Sequence, residues 1–303
     1  MTFIPSGEQI EITAGDWSAT IVEVGGGIRS LSVAGRTVLD GYGAEEMCGS
    51  GRGQLLLPWP NRIEDGKYTF EGASLQLPLS EPALHNASHG LTRWVDWKVL
   101  DRTESSVAMG YALRPQPGYP FGLDLRATFA LDRSGLTVTL ESTNVGPSRC
   151  PFGAGAHPYI ACGDVLVNSA TLSVPADTFL LANDRQIPVE RRCVDETELD
   201  FRHGKGIGDL VLDTCYTGLS RDADGRARVT LRDESGTTSV WMDDQFPFVM
   251  VFSGDTVKPE SRRRRALAVE PMTCAPNAFN SGEGLLVLEP GQTFKGSWGV
   301  TTD

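Results

Sequence analysis

The stretch RDADGRARVTLRDESGTTSVW, residues 221–241, alternates apolar or β-branched side chains with polar ones and breaks at two Gly-containing turns. Asp224-Gly225 and Ser235-Gly236 supply the small, positive-φ residues that tight hairpins require. The pattern therefore predicts two consecutive hairpin connections between short strands. Similar runs recur along the chain: WSATIVEV (17–24), ATFALD (127–132), GLTVTLES (135–142), FVMVFSG (248–254), ALAVE (266–270) and GLLVLE (284–289). Turn sequences such as VAGRT (33–37), EDGKY (64–68) and LDRSGL (131–136) lie between them. No window of a dozen residues carries a helical apolar stripe free of Gly or Pro, and 34 glycines with 18 prolines punctuate the whole length. The expected fold is all-β, one large antiparallel twisted β-sandwich formed by residues 1–303 as a single domain. Residues 182–209, polar and poor in strand signals, read as a long surface loop.

Composition excludes several function classes. The formal net charge of −12 produces a field that repels nucleic acid and anionic lipid. No apolar run approaches the length of a membrane span, and the N-terminal residues lack the basic and apolar regions of a secretory signal. Six widely spaced cysteines without a CxxC pair read as reduced, mostly buried thiols, which places the expected location in the cytoplasm. The partner expected is a small molecule, with neither nucleic acid nor membrane.

Four stretches hold chemistry in unusual surroundings. GQLLLPWPNRIEDGKYTFEG (53–72) sets Asn61 and Arg62 beside Trp59 and ahead of the Asp65-Gly66 turn. HNASHGLTRWVDW (85–97) carries His85, His89, Trp94 and Trp97. GAGAHPYI (153–160) presents His157 after two glycines and before Pro158, with Tyr159 next. AVEPMTCAPNAFN (268–280) puts Glu270 directly after an apolar strand, a rare place for glutamate without a partner or a task. His85 and His89 have metal-ligand spacing only on a helix, and Pro82 and Gly90 bracket them, so no metal is expected. His203 lies in a charged stretch and reads as solvated. Arg262–Arg265 read as an exposed charged face, with a clamp for an anionic sugar as the alternative.

Taken in order, PWPNRI (58–63) with the following DG turn, HGLTRWVDW (89–97), GAGAHPY (153–159), LDTCY (212–216) and VEPMT (269–273) resemble the aldose 1-epimerase, or galactose mutarotase-like, family over nearly the whole chain. The resemblance implies a large twisted β-sandwich and interconversion of the α and β anomers of a free aldohexose. It implies Glu270 as the base that takes the anomeric hydroxyl proton and His157 as the acid that protonates the ring oxygen. His89 becomes a second histidine near that oxygen, and Arg62, with Asn61 beside it, a fixing group for hydroxyls. Asp213 is implied as a hydroxyl ligand, although Tyr216 stands where Phe is usual, and Asp243 and Asp244 compete for the role. Tyr159 or Trp59 is expected to stack on the sugar. Trp94 and Trp97 read either as further stacking aromatics or as core. Opening a hemiacetal moves two protons and no electrons, so one acid and one base suffice and no cofactor is expected. A mutarotase for phosphorylated or sulfonated hexoses, and a non-catalytic sugar-binding module on the same fold, remain the alternatives.

Overall fold

Two large antiparallel sheets dominate the computed structural model, which describes residues 3–303. The first has twelve strands. Its centre runs in the order Tyr159–Ala161, Ala266–Met272, Phe248–Phe252, Asp213–Leu219 and Ala176–Ala182. Its opposite wing is the meander Gln9–Ala14, Trp17–Val22, Ile28–Val33 and Arg36–Leu39. The second, of nine strands, centres on Leu123–Asp132, Gly135–Asn144, Thr293–Thr302, Gly236–Met242 and Ala227–Asp233. The sole α-helix among the described residues, Ala278–Ser281, is a single turn. No helix among those residues is long and apolar enough to cross a membrane.

The opening stretch folds as predicted at one of its two turns. Ala227–Asp233 pairs with Gly236–Met242, and Asp233 faces Gly236 across a two-residue connection. The Asp224-Gly225 turn instead links Asp213–Leu219 of the first sheet to Ala227–Asp233 of the second. It is a corner between layers, not a hairpin, and the same Asp-Gly chemistry serves both. The predicted loop over 182–209 also needs correction. Pro188–Cys193 returns along Ala176–Ala182 as an edge strand, and Lys205–Gly206 pairs with Thr171–Ser173. Glu190, Arg191 and Arg192 keep that edge charged and exposed, which protects a sheet edge but erases the apolar alternation that reveals a strand.

Alternation in the strand Ala266–Met272 divides the molecule's interior. Leu267 and Val269 join the main core between the sheets, together with Val249, Val251 and Tyr216. Ala266 and Ala268 point the other way and pack with Tyr159 and Val257 in a separate cluster. Successive strand residues face opposite sides, so Glu270 shares the outer face with Ala268. That face is covered by connecting segments and is the floor of the site. All six cysteines are free thiols, five buried and Cys193 exposed.

Candidate active site

The Glu270 strand meets the His157 segment twice. Gly155 pairs with Met272, and Tyr159 pairs with Ala268. The same register puts His157 opposite Glu270. Between those contacts the chain bulges away from regular pairing. Pro158 has no N–H to donate, His157 N–H donates to Gln54 O at 3.0 Å, and His157 O accepts from Gly53 N–H at 2.9 Å. The imidazole thus stands on the outer face with Nε2 3.3 Å from Glu270 Oε1. Gly51, at φ +73°, lies so close that a Cβ there would sit 2.8 Å from His157 Cδ2. The next row across the sheet runs Tyr159, Ala268, Phe252 and Asp213, which brings Asp213 to the same wall.

Two further segments close the site. Arg62–Glu64 pairs with Asn86–Ser88 in a small sheet, with Arg62 opposite Ser88. Asn61 and His89 both adopt left-handed backbone, at φ 53° and 60°, and are bound to each other. His89 N–H donates to Asn61 O at 2.8 Å, and Asn61 N–H donates to His89 Nδ1 at 3.2 Å. With Nδ1 accepting, the proton of the neutral imidazole sits on Nε2. Arg62 gives both oxygens of Glu81 a hydrogen bond, at 2.7 and 3.0 Å. The resulting cavity has a volume of about 310 Å³ and is lined by Asn61, Arg62, His89, His157, Tyr159, Asp213 and Glu270, all seven of the residues expected from the sequence. Asp243 is elsewhere, accepting backbone N–H bonds from Ser297 and Gln245.

Burial sets the electrostatics. It pushes the Glu270 carboxyl well above its ordinary range, with Asp213 reinforcing the shift and Arg62 opposing it. Burial also lowers His157 to about 3, aided by the cations Arg93 and Arg52. His89 is pushed down by burial, then by Arg93 and His157. Asp213 is raised by burial. Both imidazoles are therefore neutral near pH 7. Four cavity residues each hold a buried polar atom without a hydrogen-bond partner: Glu270 Oε2, His157 Nδ1, Asn61 Oδ1 and Arg93 Nε. Buried polar groups are ordinarily satisfied, so this concentration marks a surface built to receive a polar ligand. His89, His157 and Glu270 bring one donor atom each within 4.8 Å of one another, a spacing that a small cation also fits. The nearby arginines, which add to burial in keeping both imidazoles neutral, oppose a positive ion there.

Several expectations change. Trp59 does not reach the cavity; it is buried against Tyr119 and Phe279. Tyr159 lines the wall, but its ring is already stacked by His157, with centroids 4.9 Å apart, and by the Arg52 guanidinium at 4.8 Å. Trp97 is core, whereas Trp94 is exposed at the cavity's edge, with the Arg93 guanidinium over its ring at 5.9 Å from the centroid. Glu270 lies within its strand, which continues through Pro271 to Met272. His85 is exposed and pairs with Asp65, away from His89's partners. Arg262–Arg265 do not line the cavity. Arg264 is bound to Asp255 and Asn168, Arg262 to Gly41 O, and Arg265 to Asp164 O. Two charged cavity residues, Arg93 and Glu81, fall outside the residues expected from the sequence. Arg93 stood in a stretch already selected for its histidine, whereas Glu81 sits in a loop with no motif around it. The 182–209 segment bears on the site indirectly. Arg185, at a hairpin tip, holds Glu64, Asp65 and Leu84 O, while Asn86 donates to Arg185 O.

Comparison with known proteins bears on the family and the fold. The chain is 36% identical to YihR, an uncharacterized protein of Escherichia coli K12, over 96% of this chain and 92% of that protein. It is 26% identical to the aldose 1-epimerase of the same organism over 66% of this chain and 60% of that one. Among solved structures, the aldose epimerase homologue of C. elegans superposes with a TM-score of 0.86 at 19% identity, covering 98% of both chains. The galactose 1-epimerase of Lactobacillus acidophilus NCFM gives 0.80 at 18%, covering 97% and 94%. At these identities the structures bear on fold alone. The family model for aldose 1-epimerase matches residues 8–300, and with that extent of match the chain belongs to the aldose 1-epimerase family.

Proposed function

We propose that the protein is a mutarotase that interconverts the α and β anomers of a free aldohexose, with Glu270 as base and His157 as acid. The observation that supports this reading is the buried His157–Glu270 pair, 3.3 Å apart in the wall of the cavity, with the second polar atom of each side chain left without a hydrogen-bond partner. Burial favours the uncharged pair, carboxylic acid and neutral imidazole. Passing their shared proton from Glu270 to His157 gives carboxylate and imidazolium, the form that opens the ring. The carboxylate then takes the proton of the anomeric hydroxyl while the imidazolium protonates the ring oxygen, and the bond between that oxygen and C1 breaks. Opening returns the pair to its uncharged form. After rotation about C1–C2 the reverse transfers close the ring on the other face, so no external proton is consumed. Each transfer by a positioned group is worth on the order of 10²–10⁴-fold.

The remaining residues serve binding. His89 donates Nε2–H beside His157, with the two rings 5.4 Å apart. Arg62, held planar against Glu81, and Asp213, on the neighbouring strand, present donors and an acceptor to ring hydroxyls. Polarimetry on freshly dissolved α-glucose and α-galactose tests the reading. Acceleration of the approach to equilibrium is expected with wild type and is expected to be lost with Glu270→Gln. Calorimetric sugar binding with no acceleration would instead indicate a binding module on this fold.

A further inference from the structure

Three arginines surround the His157–Glu270 pair, and only two have counter-ions. Arg52 is paired with Asp40 at 2.8 Å, and Arg62 with Glu81. Arg93 lines the cavity with no carboxylate in ion-pair contact among the described residues. Its guanidinium makes two long hydrogen bonds, Nη1 to Gln54 Oε1 at 3.5 Å and Nη2 to Ser88 O at 3.4 Å, and lies over the Trp94 ring at 5.9 Å from its centroid, while Nε is buried without a partner. The backbone beneath is fixed. Gln54 Nε2 donates to Arg93 O at 2.9 Å, and Gly25 packs so tightly on that carbonyl that a Cβ would come within 2.7 Å. A half-buried guanidinium with no carboxylate in contact keeps donors and charge available, and its planar fork of N–H groups matches an oxyanion.

Resting on the mutarotase reading above, we propose that Arg93 is an anion subsite and that the preferred substrate is a hexose with an oxyanionic group at C6, a carboxylate, phosphate or sulfonate. The position follows from the assigned chemistry. His157 faces the ring oxygen, and C6 is attached to the carbon next to that oxygen. Arg93 Nη2 lies 3.4 Å from the carbonyl oxygen of Ser88, the residue before His89, and the His89 ring packs 5.4 Å from that of His157, which puts the guanidinium on the His157 side of the cavity, where the ring oxygen is bound. A hydroxyl at C6 gives Arg93 an acceptor but leaves its charge uncompensated, whereas an oxyanion supplies both. The anion also cancels part of the field that keeps His157 from holding a proton, so the imidazolium form is more populated when the substrate is bound. The arginine run 262–265, the sequence feature first associated with an anionic sugar, lies outside the cavity and has its own partners.

Anomer-exchange NMR at constant ionic strength on glucose, glucuronate, glucose 6-phosphate and a 6-sulfonated glucose tests the proposal. For wild type, kcat/KM for at least one anionic sugar is expected to exceed that for glucose by about ten- to a hundredfold, the range of charged hydrogen bonds. The arm that responds separates a planar carboxylate from a tetrahedral oxyanion. Arg93→Gln is expected to bring the anionic-to-neutral ratio toward one, Arg93→Lys to retain part of it, and Arg263→Gln to keep it whole. If Arg93→Gln does not fold, Arg93→Lys, which keeps the charge and loses the fork, supplies the comparison. A wild-type preference for glucose over all three, or a ratio unchanged in folded Arg93 variants, overturns the subsite. Calorimetry keeps the two readings apart. Arg93-dependent binding of an anionic hexose without faster exchange would sink the mutarotase reading and leave the subsite standing. Faster exchange with no anion preference would do the reverse.

Discussion

His157 and Glu270 occupy facing register positions on adjacent segments, with Nε2 3.3 Å from Oε1, although 113 residues separate them along the chain. The pairings Gly155–Met272 and Tyr159–Ala268 hold the two backbones on either side. The geometry of the pair is therefore a property of the sheet rather than of a mobile loop, and its consequences can be measured.

Glu270→Gln keeps the side chain's shape and removes its ability to take a proton. Its kcat is expected to fall by about 10²–10⁴-fold. The same change is expected to raise Tm at neutral pH. Burial raises the folded-state pKa of Glu270 above its unfolded value, so stability is lost as pH rises from the unfolded value toward the raised one, and a neutral amide does not carry that cost. Steady-state kinetics and thermal melts check both. A variant with activity within tenfold of wild type, or a Tm several degrees lower, contradicts the assignment.

The pH profile follows from counting protons on the pair. One proton is required, on either partner. A second is added only as pH falls toward the depressed value of His157, about 3, and the last is lost as pH rises through the elevated range of Glu270. The expected kcat profile is flat above the depressed range of His157, falls as pH rises through the raised range of Glu270, and owes no limb to an imidazole titrating at the ordinary value of about 6.5. A clear limb near 6.5 that disappears in His157→Asn would show that the imidazole titrates freely.

How much of this was legible in the sequence depended on what each residue announces. Strands of the central sheets, such as Ala227–Asp233 and Gly236–Met242, carry apolar alternation and Gly turns and are visible directly. The edge strand Pro188–Cys193 hides because its exposed charges suppress that pattern. His157 and Glu270 stand out, since a glycine-flanked histidine before proline and a glutamate among apolar residues are both unusual. Their mutual contact, however, is set by strand register and is invisible before folding. Glu81 carries no local signal because its role comes entirely from Arg62. The lack of a counter-ion at Arg93 is likewise a fact of three-dimensional neighbours. The Arg262–Arg265 run misleads for the opposite reason: charges adjacent in sequence disperse to separate partners.

Gly51→Ala probes the positioning of the imidazole without touching its chemistry. The added Cβ would fall 2.8 Å from His157 Cδ2 at a residue with φ +73°. Stability is expected to fall by about 1 kcal/mol from the backbone alone. Displacing the acid by even a fraction of an ångström should lower kcat by tenfold or more, because misplacement of about 1 Å can cost about a hundredfold. Unchanged kcat in a folded variant would mean that the imidazole position is not limiting.

Glu81→Gln separates binding from chemistry. It removes the carboxylate that fixes Arg62 through two hydrogen bonds but leaves the acid and base in place. KM is expected to rise about tenfold with a smaller change in kcat, the signature of lost uniform binding. A large fall in kcat at constant KM would place Arg62 in the transition state instead.

The central claim is that His157 and Glu270 move protons as one unit, and a double-variant cycle read by anomer-exchange NMR tests it most directly. The account predicts that His157→Asn and Glu270→Gln each abolish most of the catalysed exchange and that the double variant loses little more than either alone. Losses that multiply in the double variant, or near-normal exchange in either single one, would contradict it.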